Sequence, residues 1–419
     1  MQQAKSLSTV NYVLYLILFI SLICSFRAVG SISVTLILFA GITKNKLEKG
    51  SLFHSRVKNP FLICCCLLFA VHFMALIYTH DTNGEWNNIV LSSGLLFVPL
   101  AICCTNFITG DTRQKLLLHF CGLLAAASLF CLANAVAHYL RSGTPSVFFY
   151  HSLVSLFHQH AVYYSILVFI ALAFLLENIL DNRLVLNRSL HISSILFLSF
   201  FLFLLSSKLV IVFYLLFLCY HFILLIKKRT KNRRLIISSF VMLIIISILT
   251  LTIRNPISNR FYDAFQGDLT IIKQEKFNSG HYFNGIQFRL LQWEFTGELL
   301  NENNAWWCGV GAASSQRLLD QKYISKNMYT GDPEKGTKGY LGYNSHNQFL
   351  QTLLECGIPG LAILLTTCFF LVRIAWQKKR RVLTAVILLL LVWLFTESVL
   401  GRQFGIMIFC FFPLFLSFD

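Results

Sequence analysis

The sequence predicts an all-α polytopic membrane protein with about twelve transmembrane helices and one large, partly helical loop. Of its 419 residues, 56 % are hydrophobic and only 13 % are charged, whereas about 25 % of residues are charged in soluble domains. Apolar runs recur at the length of roughly 20 residues that a helix needs to cross a bilayer. The first run, from Tyr12 to Cys24, lacks an A-x-A cleavage site, so we interpret it as a span and not as a signal peptide.

Twelve apolar segments are predicted to be spans, in chain order. They are residues 9–27, 29–43, 60–79, 88–107, 115–139, 154–178, 189–206, 209–226, 235–253, 352–376, 382–400 and 403–418. The chain then divides into a transmembrane region of about nine helices at 1–253, a large loop at 254–345 and a C-terminal transmembrane region of about three helices at 346–419.

The distribution of positive charge predicts the orientation in the membrane. Of the 35 Lys and Arg residues, 21 fall in one alternating set of loops, which the positive-inside rule assigns to the cytoplasm together with both termini. The loop from Arg254 to Tyr343 lies outside, and its length is typical of a functional loop. Because cytoplasmic loops account for the net charge of +17, that charge predicts no nucleic-acid partner.

His346 is a candidate general base, since a histidine takes up a hydroxyl proton at neutral pH. We expect a helix to start near Ser345, capped by Asn344 or by Ser345 itself, so that His346 lies on its first turn at the outer membrane face. The alternative is a surface histidine without a role. Arg289 is predicted to lie on a helix, because apolar residues around it recur at helical spacing.

Several basic side chains are predicted to converge near His346. They are Lys208, Arg254, Arg260, Arg289 and Arg402. A charge beside a membrane span is costly, so it tends to be functional or paired. A salt bridge with Glu397 is the competing interpretation for Arg402, and a solvated loop position is the competing one for Arg260.

No metal site and no cofactor are predicted. In His158-Gln159-His160 the two histidines are two residues apart, and on a helix such residues point apart. These histidines therefore favour the wall of an aqueous cavity over metal binding, and a plain position at the membrane interface is the remaining alternative. No paired carboxylates occur within the spans, although proton-coupled transporters usually need them, so a lipid or solute transporter is the weaker non-enzyme alternative.

The order of these features resembles the superfamily of O-antigen ligases and O-antigen polymerases. That family has about twelve spans, a long outer loop with Arg residues, and an H-N motif before a helix that ends E-x-G-x-x-G. Here His346-Asn347 precedes Glu355-Cys356-Gly357-Ile358-Pro359-Gly360, and Arg289 with Trp293 resembles the R-x-x-x-W segment. Where many ligases have a second Arg, this chain has Lys208, which keeps the charge but loses the bidentate geometry.

The resemblance implies a metal-independent, GT-C-like glycosyltransferase of the bacterial inner membrane, with its active site in the periplasm. The donor would be a glycan on undecaprenyl diphosphate, and its acceptor lipid A–core for an O-antigen ligase. His346 would be the base and Arg289 would hold the diphosphate. Further substrate contacts would come from Lys208, Arg254, Arg260, Asn347 and Arg402. An O-antigen polymerase and a protein O-oligosaccharyltransferase remain alternatives within the superfamily, and membrane lipids are the other expected partners.

Overall fold

The structure is a computed structural model. It describes residues 2–227 and 256–418 with gaps at 51, 53, 78–81, 106, 182, 184–186, 333 and 335–336, and a few residues between 237 and 253. Arg254, one of the predicted substrate contacts, lies outside the described residues, as does most of the predicted span 235–253.

The described chain is built from helices. Eight helical segments in it are long and apolar enough to cross a membrane, and three apolar helices are shorter. The eight are α1 (Gln2–Cys24), α2 (Arg27–Lys49), α3 (Pro60–Met74), α4 with α5 (Thr82–Ser92 and Gly94–Cys103), α6 (Gly110–Ser142), α8 (Ala161–Leu180), α10 (Lys208–Lys227) and α14 (Gln348–Lys378). The shorter three are α9 (Arg188–Leu204), α15 (Arg381–Thr396) and α16 (Gln403–Ser417), and the other helices are α7 (Tyr150–Leu153), α11 (Pro256–Phe265), α12 (Gly285–Glu302) and α13 (Ala312–Ser325).

These eleven apolar segments overlap eleven of the twelve predicted spans, which confirms a polytopic helical protein. The count of twelve stays a prediction, because the ninth span falls largely outside the described residues. One boundary was predicted too early. The sixth span was expected from residue 154, whereas α8 begins at Ala161. The residues before it form short turns, with left-handed backbone at His158.

Helix α8 is the most buried of the long helices in the described chain. In its most apolar stretch 83 % of the residues are buried, against 33–44 % in the other long segments of the described chain. Helix α16 is also buried, from Phe404 to Ser417. A helix that is apolar on every side is stable only when neighbours cover it. Helix α16 meets this condition although it is short, because it packs against α5 and α15.

Residues 256–347 form a segment with an apolar core of its own. Helix α12 starts with a reciprocal capping box between Asn284 and Gln287, which satisfies backbone N–H groups at its first turn. Its buried face packs against Tyr323 of α13 and against Leu354 at the start of α14. This packing fixes α12, and with it Arg289, relative to the membrane helices.

Two glycines allow the turn before α13 to approach the backbone of α14 closely. Gly309 and Gly357 both have left-handed φ values. Gly309 lies against the backbone of Glu355, and Gly357 lies against the backbone of Trp307. The Val310 N–H donates to the Leu354 carbonyl at 2.8 Å, and the Gly311 N–H donates to the Glu355 carbonyl at 3.0 Å. The E-x-G motif therefore anchors the turn before α13 to the kink in α14.

Candidate active site

A cavity of about 510 Å³ opens where the 256–347 segment meets the ends of α8 and α15. Polar and apolar surface contribute about equally to its lining, which includes Tyr163 of α8 and Ser398 just beyond α15. The titratable side chains in the lining are His151, His160, Lys338, His346, Glu397 and Arg402. Residues 150–160, 338–346 and 396–402 therefore meet here, although they are far apart in sequence.

Glu397 lies at the centre of the charged groups. It follows the last residue of α15, and its side chain is 20 % exposed. Oε2 accepts a hydrogen bond of 2.8 Å from His346 Nδ1, and Oε1 accepts one of 2.9 Å from Arg289 Nη2. One carboxylate thus joins the two residues that the sequence analysis identified as catalytic candidates.

The tautomer of His346 follows from this contact. Because Glu397 is an acceptor, Nδ1 carries the proton that it donates, and the lone pair of Nε2 is available in the neutral ring. The ring is 21 % exposed and borders the cavity. An imidazole oriented by a carboxylate in this way is suited to take a proton from a hydroxyl group.

The position of His346 differs from the predicted one. Helix α14 begins at Gln348, and its cap is Asn347, whose side-chain oxygen accepts from the N–H groups of Phe349 and Leu350. His346 lies before the helix with a φ of 45°. The predicted helix start near Ser345, with a cap at Asn344 or Ser345, was therefore wrong, and the capping role leaves the oxygen of Asn347 engaged with backbone.

Neighbouring groups also shift the acidity of Glu397. Burial alone would raise the pKa of this carboxyl, but the hydrogen bond from His346 and the charges of His346 and Arg289 lower it to about 2. A carboxylate stabilised by two cationic or donating partners stays ionised across the neutral range. It therefore keeps its orienting hydrogen bond to His346 at all physiological pH values.

Arg289 is held rigidly on α12. Nε donates to the Thr396 carbonyl at 3.2 Å and Nη1 donates to the Gly285 carbonyl at 3.1 Å, in addition to the bond with Glu397. A guanidinium has five N–H groups, so these three bonds leave two donors for a ligand. The side chain is 34 % exposed, which gives an anion access to it.

Lys208 and Arg260 form a second group of positive charge beside the cavity. Lys208 starts α10 and interacts electrostatically with Arg260, Asp263 and Arg289. The guanidinium carbon of Arg260 lies 3.4 Å from the centre of the Tyr150 ring, a cation–π contact. This stacking interaction fixes Arg260, which argues against a freely solvated loop position.

Arg402 faces the same cavity from the start of α16. Its guanidinium carbon lies 6.0 Å from the centre of the Tyr163 ring. A salt bridge with Glu397 was the competing interpretation for Arg402. In the part of the chain that the structure describes, Glu397 forms its ion pairs with Arg289 and His346 and none with Arg402.

Two histidines of the cavity wall were only partly anticipated. The backbone N–H of Val162 donates to Nδ1 of His160, and that of Ala161 donates to Nδ1 of His151. Desolvation lowers the pKa of His160 to about 3, assisted by the charges of His151 and Arg402. Burial lowers the pKa of His151 as well, to about 4, so both rings are neutral near pH 7. His160 lines the cavity, as predicted, whereas His158 does not belong to the lining.

Sequence reasoning did not predict that Glu397 joins His346 to Arg289. It also did not predict that His151 and Lys338 line the cavity. Glu397 was noted as a competing partner for Arg402 and as a carboxylate near the outer membrane face, but not as a partner of His346 or Arg289. An isolated acidic residue at the end of an apolar helix was a usable signal, because such a charge is rarely left unpaired. Lys338 gave no signal beyond its place in the long loop.

One comparison with known proteins bears on this site. Residues 193–365 match the protein-family model described as O-antigen ligase. The matched region contains Lys208, Arg260, Arg289 and His346, and it ends before Glu397 and Arg402. No curated protein sequence matches the chain.

Proposed function

We propose, on the premise that residues 193–365 belong to the O-antigen ligase superfamily, that this protein is an O-antigen ligase. It would transfer a glycan from undecaprenyl diphosphate to a hydroxyl group of lipid A–core. The observation that carries the proposal is the Arg289–Glu397–His346 arrangement at the cavity. It sets a candidate base beside a candidate anion-binding group.

The proposed reaction is a single displacement. Nε2 of His346 takes the proton of the acceptor hydroxyl while that oxygen attacks the anomeric carbon of the donor sugar. The bond between this carbon and the diphosphate oxygen breaks, and undecaprenyl diphosphate leaves with the electron pair. The ion pair with Glu397 stabilises the imidazolium that forms.

Arg289 would bind the diphosphate through the two N–H groups that its protein contacts leave. Lys208, Arg260 and Arg402 would add positive charge around the same leaving group, which becomes more negative as the glycosidic bond breaks. Asn347 would act by capping α14 and so positioning His346. We assign no role to Arg254.

Transfer is proposed to be independent of metal ions. Lysine and arginine side chains supply the positive charge that a divalent cation provides in other phosphate sites. Glu397, the carboxylate at this cavity, is already paired with Arg289 and His346. Activity of the purified protein should therefore persist in EDTA, and its loss with recovery on adding a divalent ion would contradict this part of the proposal.

We propose the bacterial inner membrane as the location. Both termini would be cytoplasmic, and residues 254–345 would be periplasmic. The distribution of 21 basic residues over alternate loops supports this orientation. The cavity then faces the compartment in which a lipid-linked glycan and lipid A–core meet.

The surface glycolipids of a deletion strain test the function. A ligase predicts loss of all polymer from lipid A–core together with accumulation of lipid-linked polymer. Core that carries one repeat unit indicates a polymerase instead, and normal lipopolysaccharide with unglycosylated protein indicates a protein O-oligosaccharyltransferase. Transfer by purified protein in proteoliposomes completes the test, because a transporter would produce no new glycosidic bond.

A further inference from the structure

A second cavity lies at the opposite ends of the helices that form the candidate active site. Helix α8 starts beside His160, and its far end contributes Glu177, Asn178 and Asp181 to this cavity of about 400 Å³. Twenty helical residues span about 30 Å, which is the thickness of a bilayer core. The two cavities therefore lie at opposite membrane surfaces.

The second cavity has an excess of positive charge. Five cationic side chains and two carboxylates line it. Arg381 is paired with both carboxylates, at 2.7 Å from Glu177 and 2.8 Å from Asp181. The other four cationic side chains are Arg113, Arg183, Lys379 and Arg380.

Contacts with the C-terminal end of α16 hold this group together. Arg113 donates to the carbonyl of Phe418, and Arg380 donates to the carbonyls of Leu416 and Phe418 at 2.9 and 3.1 Å. Arg113 is also repelled by the charges of Arg380 and Arg183. Like charges that line one half-enclosed site repel each other, and a bound anion would lower that repulsion.

An apolar groove adjoins the basic cavity. It has a volume of about 590 Å³ and is lined by Phe169 and by residues of α10 and α15, which include Phe213, Leu216 and Leu388. Lys379 and Arg381 line both the groove and the basic cavity. Leu216 and Leu388 are exposed on the outside of the bundle, where lipid acyl chains lie.

We propose that this composite site binds an anionic phospholipid of the leaflet opposite the candidate active site. The phosphate would lie among Arg113, Arg183 and Lys379, and one acyl chain would lie in the apolar groove. Basic pockets between membrane helices bind anionic headgroups by this kind of charge complementarity. A free phosphate ion would use the basic cavity alone, so the groove favours the lipid over the ion.

Native mass spectrometry of the purified full-length protein tests the proposal. The protein is titrated with phosphatidylglycerol, phosphatidylcholine or inorganic phosphate. We expect retained phosphatidylglycerol adducts and weak phosphatidylcholine adducts. Each basic side chain near a headgroup is worth about fivefold in affinity, so the double variant Arg183→Gln with Lys379→Gln should bind phosphatidylglycerol roughly 25-fold more weakly.

Lys58→Gln is the matched control. Lys58 is exposed and ends a short helix, and Arg56 of that helix stacks on Phe418 at the same membrane surface. This variant should bind the lipid as the wild type does. Ala385 also lines the apolar groove. The second variant, Ala385→Phe, fills the groove without changing charge and should also weaken binding of the lipid.

Three outcomes would overturn the proposal. They are equal retention of the anionic and the zwitterionic lipid, undiminished binding by both the double variant and Ala385→Phe, and displacement of the lipid by equimolar inorganic phosphate. The last would identify a free-anion site. If the double variant does not fold, Ala385→Phe alone decides. None of these readouts depends on glycan transfer, so failure here is distinct from failure of the proposed function.

Discussion

Replacing Glu397 by Gln separates the two partners that its carboxylate joins. A carboxylate accepts from His346 and from Arg289 at the same time, at 2.8 and 2.9 Å. The Gln side chain has one oxygen and one NH2 group, so it satisfies only one of these donors. If its oxygen faces His346, the NH2 group faces Arg289, and two hydrogen-bond donors then oppose each other. If its NH2 group faces His346, Nδ1 must become the acceptor and the proton moves to Nε2, which blocks the base.

The expected losses follow from the structure. The pKa of Glu397 is about 2 instead of 4.5, which corresponds to about 3 kcal/mol of interaction with its surroundings. Because this carboxyl pKa is lowered, its stabilising contribution is present above about pH 4.5 and is lost as the pH falls towards 2. Glu397→Gln removes it at neutral pH, and we expect a loss of roughly 1–3 kcal/mol in unfolding free energy. Transfer should fall by about 10²–10⁴-fold, the usual contribution of a general base.

The assay is glycan transfer by purified protein in proteoliposomes, with the rate measured under saturating donor and acceptor. Glu397→Asp is the matched variant. It keeps the charge but is shorter, so we expect a rate between those of the wild type and Glu397→Gln. Thermal unfolding in detergent checks that all three proteins are folded. A Glu397→Gln rate within threefold of the wild type would refute the orienting role of the carboxylate.

Three further predictions concern the donor site, a glycine and the orientation. Arg289→Ala should reduce donor use far more than Arg289→Lys, since the charge matters most and the bidentate geometry adds to it; equal rates for Ala and wild type at equal expression would remove Arg289 from the site. Gly357→Ala should destabilise the protein by about 3 kcal/mol, because its Cβ would meet the Trp307 carbonyl oxygen at 2.2 Å, whereas Gly297→Ala, which has open space, should leave the melting temperature unchanged or raised. Cysteine placed at the exposed Ser279 should react with an impermeant reagent in intact cells, and labelling only after permeabilisation would contradict a periplasmic loop.

Much of the fold was predictable because the membrane imposes a strong constraint. Each span has to satisfy its backbone groups internally, so helices of about 20 apolar residues are the available solution. Arg289 was correctly expected on a helix, because apolar spacing around it is periodic over several turns. The family resemblance was confirmed by the match at residues 193–365.

The errors arose where short polar segments meet. Asn347 and Ser345 are both good caps by residue type, and the left-handed backbone of His346 decided between them. Glu397 was considered beside its sequence neighbour Arg402, but its partners are 51 and 108 residues away. Such long-range pairing depends on how the 256–347 segment packs on α14 and α15, and sequence periodicity carries no information about that.

The most direct test of the account is the transfer rate of His346→Ala. The hydrogen bond to Glu397 is lost with the side chain, so we expect a loss of roughly 1–3 kcal/mol in unfolding free energy, as for Glu397→Gln, and a protein that still folds. We predict a fall of about 10²–10⁴-fold in the rate of glycan transfer, with wild-type expression, monodispersity and donor binding. Full complementation of a deletion strain by His346→Ala, with a wild-type rate in proteoliposomes, would show that His346 is not the base.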